Sequence, residues 1–303
     1  MRFWVPSKLI ASALADVPGI TVQVAEADEG ELPPGAEEVE FYVPPLFPSE
    51  PALAAMSKMP RLRVVQTVTA GVERLLPHIP PGVTLCNARG VHDAGTAEWV
   101  VAAILAAVRD FPHFAAEQAA RQWSYRFTDS LAGKTVLIVG YGSIGQAVER
   151  RLAGFEVTVR RVARSARDGV APVSRLPELL PVSDVVVVLA PVTEETIGMV
   201  DAGFLALMKD GALLVNAARG SLVVTDALVA ELRRERLRAA LDVVDPEPLN
   251  PDHPLWGLPN VLITPHVAGS TAVSAARVLE FLRAQAVRFT RGEQVMNVVE
   301  GTY

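Results

Sequence analysis

Residues Lys134 to Ser165 read KTVLIVGYGSIGQAVERRLAGFEVTVRRVARS, and this stretch constrains the fold more than any other. Thr135 to Val139 is a continuous apolar run, the pattern of a strand buried on both faces of a parallel sheet. A glycine turn follows at once. Gly140, Gly142 and Gly145 form G-x-G-x-x-G, after which Ala147, Val148, Arg151 and Leu152 recur with the spacing of a helix that has one buried face. Val157 to Val162 then reads as a second strand. The first glycine permits the tight turn, the second lets the backbone approach a pyrophosphate, and the third lets helix and strand pack closely. At the helix start, Ser143 and Ile144 would offer backbone N–H groups and a partial positive charge to that pyrophosphate. A lone glycine fingerprint also fits an ordinary tight turn. With strand, turn, helix and second strand in order, the stretch reads as a dinucleotide site.

At 303 residues the chain exceeds the roughly 250 to 300 at which single cores stop growing, so two domains are expected. Half of the residues are hydrophobic, enough to fill both cores. A net charge of −6 argues against a general nucleic-acid or acidic-membrane partner. The single cysteine, Cys86, excludes an internal disulfide and a cysteine-based zinc site. MRFWVPSKLI lacks the apolar core and cleavage site of a signal peptide, and no stretch has about 18 uninterrupted apolar residues. The expectation is a cytoplasmic protein without membrane partners.

Before the glycine turn, Phe3 to Val5, Ile20 to Val24, Val39 to Val43, Leu62 to Gln66 and Val83 to Cys86 are strand candidates of a small α/β domain, punctuated by paired prolines. Thr96 is a candidate N-cap for a mostly buried helix over Trp99 to Val108. Beyond the turn, Asp184 to Leu189, Ala212 to Val215, Leu241 to Val244 and Val261 to Ile263 read as buried strands, with a helix over Ala227 to Arg236. This is a doubly wound, Rossmann-type parallel sheet. Ala272 to Thr290 is helical, with Val278, Phe281, Leu282 and Ala286 on one face. Ligands of such sheets lie beyond the carboxyl ends of the strands, so Ala190-Pro191, Asn216 to Gly220, Asp242 to Glu247 and Thr264 to Ala268 face one crevice.

Those loops carry Arg219, Glu247 and His266. A nicotinamide enzyme acting on a carbonyl needs a proton donor to the forming alkoxide, a cation for an anionic substrate and a group that tunes the donor. Histidine, arginine and carboxylate supply those roles. A structural histidine, a surface salt bridge and a solvated carboxylate are the alternatives for the three residues taken singly. His78, His113 and His253 read as solvated, while His92 falls at the domain crossover with no assigned role. No H-e-x-x-H spacing and no G-x-S-x-G elbow occurs, so no metal is expected.

NAARGSLV around Arg219, LDVVDPEPL around Glu247 and NVLITPHVAGST around His266, in that order after GYGSIG, resemble the D-2-hydroxyacid dehydrogenases. QTVTAGVERL at Gln66 to Leu75 and NARGVHDAGTAEWVVAAILA at Asn87 to Ala106 extend the likeness over nearly the whole chain. The resemblance implies a flavodoxin-like α/β substrate domain from residues 1–91 and 272–303, a cofactor domain from 92–271, and an active site between them. It makes Arg219 the group that binds the substrate carboxylate and polarises its carbonyl, and His266 the acid/base paired to Glu247. It further implies that Thr69, Ala70 and Gly71 offer backbone N–H groups to the substrate, that Asp242 meets the nicotinamide amide, and that Pro191, Thr193 and Ala217 line the cofactor cleft. The family usually dimerises through the Trp99 to Val108 helix and the segment after it, so a homodimer is expected. Trp123 in that segment would then reach a partner's active site, or be an ordinary buried indole.

Two departures from the family pattern stand out. Asp245 occupies a position that is commonly Glu, which leaves Glu247 in place. Where members using NAD carry an acidic residue at the end of the second Rossmann strand, this chain has Ala163, followed by Arg164, Ser165 and Arg167. Two cations and a hydroxyl suit the 2′-phosphate of NADP, so NADP is expected as cofactor with NAD the weaker alternative. The other reading is a solvated basic edge made of Arg160, Arg161, Arg164 and Arg167. Asp168 as a ribose ligand lies several residues into the following loop. The expected activity is hydride transfer between NADP(H) and a small 2-oxo or D-2-hydroxy acid, as in glyoxylate or hydroxypyruvate reductases. Phosphite or 3-phosphoglycerate as substrate, and a non-catalytic nucleotide-sensing scaffold, are the alternatives.

Overall fold

The computed structural model describes residues 1–25 and 33–299. Two compact units result, Met1–His92 with Ala272–Tyr303, and Asp93–Thr271. The first unit begins β1 (Arg2–Val5), α1 (Lys8–Leu14), β2 (Thr21–Val24), β3 (Val39–Tyr42), α2 (Glu50–Ala54), β4 (Val64–Gln66) and β5 (Thr84–Cys86). The second comprises α3 (Asp93–Val108), α4 (Phe111–Ala119), β6 (Thr135–Val139), α5 (Ser143–Leu152), β7 (Thr158–Ala163), β8 (Ala171–Pro172), α6 (Leu176–Leu179), β9 (Val185–Val188), α7 (Ala202–Leu207), β10 (Leu213–Asn216), α8 (Thr225–Arg233), β11 (Arg238–Leu241) and β12 (Val261–Ile263). Helix α9 (Ala272–Thr290) belongs again to the first unit.

In the second unit the parallel strands lie in the order β12-β11-β10-β9-β6-β7-β8. Winding reverses between β6 and β9, which is the doubly wound arrangement with its switch point beside the glycine turn. The apolar runs are continuous because alternate side chains enter two different cores. Val136 and Ile138 of β6, Val185 and Val187 of β9, and Leu213 and Val215 of β10 pack with α3 and α5. Their neighbours Leu137, Val139, Val186, Val188 and Leu214 pack with α7 and α8 on the opposite face. Each such fully buried aliphatic side chain contributes about 1.5 to 3 kcal/mol relative to exposure.

The first unit has its own parallel sheet, ordered β2-β1-β3-β4-β5 as in flavodoxin. Helix α9 covers one face through Leu282, Ala286 and Phe289. The Phe289 ring meets that of Phe41 edge-on at 5.3 Å, and Phe41 stacks on Phe3 at 4.5 Å. Gln285 is buried in the same helix and donates to Gln66 Oε1 at 2.5 Å and to the Met296 carbonyl at 2.9 Å, fixing helix and C-terminal tail to β4.

Strand boundaries read from sequence agree within a residue or two, with one exception. The strand expected over Leu241 to Val244 is Arg238–Leu241. Ala239 and Ala240 are small enough to be overlooked as strand formers yet are fully buried, and the chain leaves the sheet where the Asp242 carboxylate turns to accept backbone N–H groups. Thr96 is not an N-cap. Helix α3 already begins at Asp93, whose carboxylate accepts from Ser143 Oγ at 3.1 Å, and Thr96 is buried inside its first turns. Helix α8 starts at Thr225 and stops at Arg233, before the left-handed Glu235 with φ of 53°. Trp123 is no buried indole but 99% exposed. Among the described residues no single helix is long and apolar enough to cross a membrane.

Candidate active site

The three glycines of the turn meet three different surroundings. Gly140 has φ of 102°, and a Cβ there would lie 2.3 Å from the Ala190 amide nitrogen, so the turn packs flush against the loop leaving β9. At Gly145 a Cβ would come within 3.0 Å of the Gly140 carbonyl and 3.2 Å of Ile138, the close helix–strand approach. A Cβ on Gly142 would meet nothing within 4 Å, which leaves the open side that a pyrophosphate approaching the backbone requires. Gly142 caps α5 without a side-chain hydrogen bond, so the N–H groups of Ser143 and Ile144 head the helix. Thr193 and Pro191 lie in the loop after β9, which Thr196 closes by accepting from the Thr193 N–H at 2.8 Å and donating to the Pro191 carbonyl at 2.7 Å.

Beyond β7, which ends at Ala163, the side chains of Arg164, Ser165 and Arg167 are exposed. The neighbouring arginine, Arg161, is occupied otherwise: its Nε donates to both Glu149 oxygens, at 2.8 and 3.0 Å. Arg167 donates to the Tyr141 carbonyl in the glycine turn itself, with its guanidinium 6.0 Å from the centre of the Tyr141 ring. Arg161 and Arg167 both face the Tyr141 ring, at 5.7 and 6.0 Å from its centre, but of the two only Arg161 is paired with Glu149. The open Gly142 and the helix N-terminus after it fit the pyrophosphate of a dinucleotide.

Two buried polar residues at strand ends shape the loops beyond them. Asn216, fully buried at the end of β10, accepts from the Ala218 N–H at 3.1 Å and donates to the Arg219 carbonyl at 2.8 Å. That brace turns the chain so that Ala217 and Arg219 stand half-buried past the strand, with Arg219 Nη1 donating to the Ala218 carbonyl at 2.8 Å. Asp242, only 2% exposed after β11, accepts from Thr264 Oγ1 at 2.5 Å, the Val267 N–H at 2.9 Å and the Ala268 N–H at 2.8 Å. Its own carbonyl takes the His266 N–H at 2.7 Å. The loop is thus wrapped around one carboxylate, and His266 is held at φ of 55°, a left-handed conformation that non-glycine residues seldom adopt.

Held this way, His266 Nδ1 lies 2.9 Å from Glu247 Oε2. Glu247 Oε1 accepts the Val244 N–H at 3.1 Å, which fixes the carboxylate from its other side. Burial pushes the Glu247 carboxyl up, but the hydrogen bonds from His266 and Val244 and the charges of His266 and Arg219 outweigh it and hold it below the ordinary value. Gly220 ties the third loop in: a Cβ there would lie 1.9 Å from the Val244 carbonyl oxygen. Arg219, Glu247 and His266 thus stand on three adjoining loops at the carboxyl end of one sheet. The bracing by Asn216, Asp242 and Gly220 was not read from sequence. Its signal was a polar residue closing an otherwise apolar strand, as Asn216 does after ALLV.

In the first unit, Thr69, Ala70 and Gly71 form a half-buried turn after β4. Among the other histidines, His113 pairs with Glu117 at 2.9 Å, and His253 Nδ1 accepts the Leu255 N–H at 3.3 Å. Among the described residues no group of three or more His, Cys, Asp or Glu could hold a metal ion.

Known proteins resemble the chain over most of its length. Residues 101–268 match the family described as D-isomer specific 2-hydroxyacid dehydrogenase, NAD binding domain. A D-3-phosphoglycerate dehydrogenase of Archaeoglobus fulgidus is 36% identical over 227 residues, covering 72% of this chain but only 43% of that longer protein. A glyoxylate reductase of Aeropyrum pernix is 34% identical over 263 residues, 80% of this chain and 78% of that one. The crystal structure of a D-isomer specific 2-hydroxyacid dehydrogenase from Xanthobacter autotrophicus in complex with NADPH superposes with a TM-score of 0.85 at 32% identity, over 99% of this chain and 97% of the other. The chain belongs to the D-isomer specific 2-hydroxyacid dehydrogenase family.

Proposed function

We propose that the protein is an NADPH-dependent reductase of small 2-oxo acids, with glyoxylate or hydroxypyruvate as substrate and the D-2-hydroxy acid, or glycolate, as product. The observation that carries this reading is the 2.9 Å contact of His266 Nδ1 with Glu247 Oε2, set beside Arg219 at the carboxyl end of the sheet that bears the glycine turn. The identity to a glyoxylate reductase over most of both chains supports the substrate class.

The nicotinamide, when bound, supplies the hydride. With Nδ1 committed to Glu247, proton delivery to the substrate oxygen falls to His266 Nε2, and the Glu247 carboxylate stabilises the charge on the ring before the proton leaves. Arg219 binds the substrate carboxylate, its guanidinium oriented by donation from Nη1 to the Ala218 carbonyl. Asp242 has three of its roughly four acceptor sites occupied by the His266 loop, which leaves one for the carboxamide of the cofactor. The unit Asp93–Thr271 then holds the cofactor, and the other unit binds substrate through Thr69 to Gly71.

The absence of a carboxylate at Ala163 and the exposed Arg164, Ser165 and Arg167 support NADP over NAD. A homodimer is supported by α4, which has no buried residue, and by Trp123, Tyr125 and Phe127, exposed at 99%, 82% and 91%. A run of such rings marks an interaction surface, and sedimentation of Trp123→Ser with Phe127→Ser should show the monomer. We assign the protein to the cytoplasm. The deciding experiment is turnover of glyoxylate, hydroxypyruvate, pyruvate, 3-phosphoglycerate and phosphite, each in the appropriate direction with both cofactors. Reduction of the first two should prevail; turnover of none would leave a nucleotide-sensing scaffold instead.

A further inference from the structure

The turn after β4 has an unusual hydrogen-bond arrangement: four successive carbonyls accept from donors of the same unit. The Val68 carbonyl takes His92 Nε2 at 2.7 Å. Thr69 takes the Ala88 N–H at 2.8 Å and Thr67 Oγ1 at 2.7 Å. Ala70 takes Asn87 Nδ2 at 3.0 Å, and Gly71 takes Thr69 Oγ1 at 2.8 Å. Because a trans peptide is planar, each C=O points opposite to the N–H of the next residue. Pinning the carbonyls of residues 68–71 therefore turns the amides of residues 69–72 away from those donors. Where such N–H groups converge they form a concavity suited to an anion. The amide dipoles are fixed in advance, so binding needs little reorganisation.

Asn87 is itself held in place, its Oδ1 accepting the Arg89 N–H at 3.1 Å, while Asn297 Nδ2 reaches the Arg89 carbonyl at 2.9 Å. His92, the last residue of this unit, is half-buried, and its side chain spans 24 positions of sequence to reach Val68. From this geometry we infer that His92 and Asn87 are positioning residues for the substrate carboxylate: by holding the carbonyls of Val68 and Ala70, they aim the turn amides at the anion. The inference rests on the proposal above that Thr69 to Gly71 bind the substrate. It gives His92 a role distinct from acid/base chemistry, namely a side-chain N–H that acts through the backbone.

The test is steady-state kinetics at saturating NADPH with glyoxylate, or with whichever 2-oxo acid of the panel the wild-type enzyme reduces fastest. His92→Ala should raise KM about tenfold, the scale of one lost hydrogen bond, and change kcat less than about threefold. The Kd for NADPH, read by fluorescence, should not move. His92→Gln, which keeps an N–H donor, should recover most of the lost affinity. Asn87→Asp keeps the acceptor for Arg89 but loses the donor to Ala70, and should behave like His92→Ala. Thermal melting of each variant separates misfolding from loss of binding. An unchanged KM in both His92→Ala and Asn87→Asp overturns the inference, and so does a His92→Gln enzyme that melts like wild type yet is as impaired as His92→Ala. Gly71→Pro, which deletes one turn amide, tests the underlying reading separately. If Gly71→Pro raises KM while His92→Ala does not, the turn binds the carboxylate without help from His92. If Gly71→Pro leaves KM at the wild-type value, the turn is not the carboxylate site and the inference falls with it.

Discussion

Gly220 lies against Val244 so closely that a Cβ on it would stand 1.9 Å from the Val244 carbonyl oxygen and 2.7 Å from the Asp245 nitrogen. Both neighbours are backbone, so no side chain can rotate away. Gly220→Ala should force the two loops apart, displacing Arg219 on one side and the Val244 N–H that holds Glu247 on the other. Overpacking of this kind costs about 1 to 3 kcal/mol. We expect a lower Tm together with a loss of kcat/KM larger than the change in cofactor binding. An alanine enzyme with wild-type kinetics would show that the two loops are not coupled through this contact.

His266→Ala should lower turnover at least about a hundredfold while NADPH binding stays near normal, the low end for loss of a general acid. Glu247→Gln keeps the shape but removes the negative charge 2.9 Å from His266 Nδ1. Without that charge the ring loses the counter-ion that supports proton delivery, so turnover should fall about tenfold or more while NADPH binding is kept. Initial rates and a fluorescence titration check this, and an unchanged turnover would remove Glu247 as the partner.

Arg219→Lys retains a charge but not the planar fork, so it should damage use of carboxylate substrates most. Titration of the lysine variant with NADPH, followed by fluorescence, should show binding largely preserved. A loss of cofactor binding equal to the loss of activity would instead mark Arg219 as structural.

A stability prediction concerns Asp184, which accepts the Thr135 N–H at 2.9 Å and Lys209 Nζ at 2.6 Å. Burial pushes its carboxyl up, but the Lys209 hydrogen bond, the Thr135 N–H and the charges of Lys209 and Lys134 prevail and hold it below the ordinary value. A carboxyl lowered by folding stabilises the protein above its unfolded-state pKa, about 3.9, and loses that contribution as pH falls through the folded-state value. Asp184→Ala leaves the Thr135 N–H at the start of β6 without its acceptor and should cost about 1 to 3 kcal/mol at neutral pH. The difference in Tm between the two proteins should shrink toward acid pH. A constant difference would mean that the carboxylate's charge is not what stabilises.

Much of this was legible in the residues because the signals are local. Continuous apolar runs mark strands that feed two cores, as Val136 and Leu137 do on opposite faces of β6, and the glycine spacing marks the turn between β6 and α5. Arg219, Glu247 and His266 follow three strands in order, so topology alone directs them to one end of the sheet. What was not legible depends on contacts across sequence. The strand Arg238–Leu241 was read three residues late because Ala239 and Ala240 carry little apolar signal and Val243 and Val244 carry much. Gly220 carries no mark in the sequence of its contact with Val244, more than twenty residues on. His92 gave no pattern at all, since its partner is a backbone carbonyl.

The last prediction concerns cofactor choice. In an NAD site the position closing the second strand carries a carboxylate that accepts from the ribose 2′-hydroxyl and repels a 2′-phosphate. Here β7 closes at Ala163, and no carboxylate stands there. Four arginines surround this edge, but they are not equivalent. Arg161 is paired with Glu149 through Nε at 2.8 Å, so its charge is largely cancelled. Arg167 rests on the Tyr141 carbonyl, which keeps it at the glycine turn while spending part of its donor set. Arg164 directly follows Ala163 and is exposed beside Ser165. On the NADPH reading proposed above, the 2′-phosphate contact is expected chiefly at Arg164, with help from Ser165 and Arg167. Wild-type enzyme should show a higher kcat/KM with NADPH than with NADH. Arg164→Ala should lower the NADPH value at least about tenfold, the scale of a charge-assisted hydrogen bond, and leave the NADH value nearly unchanged. Equal weakening of both cofactors, or a wild-type preference for NADH, would return these arginines to a solvated basic edge.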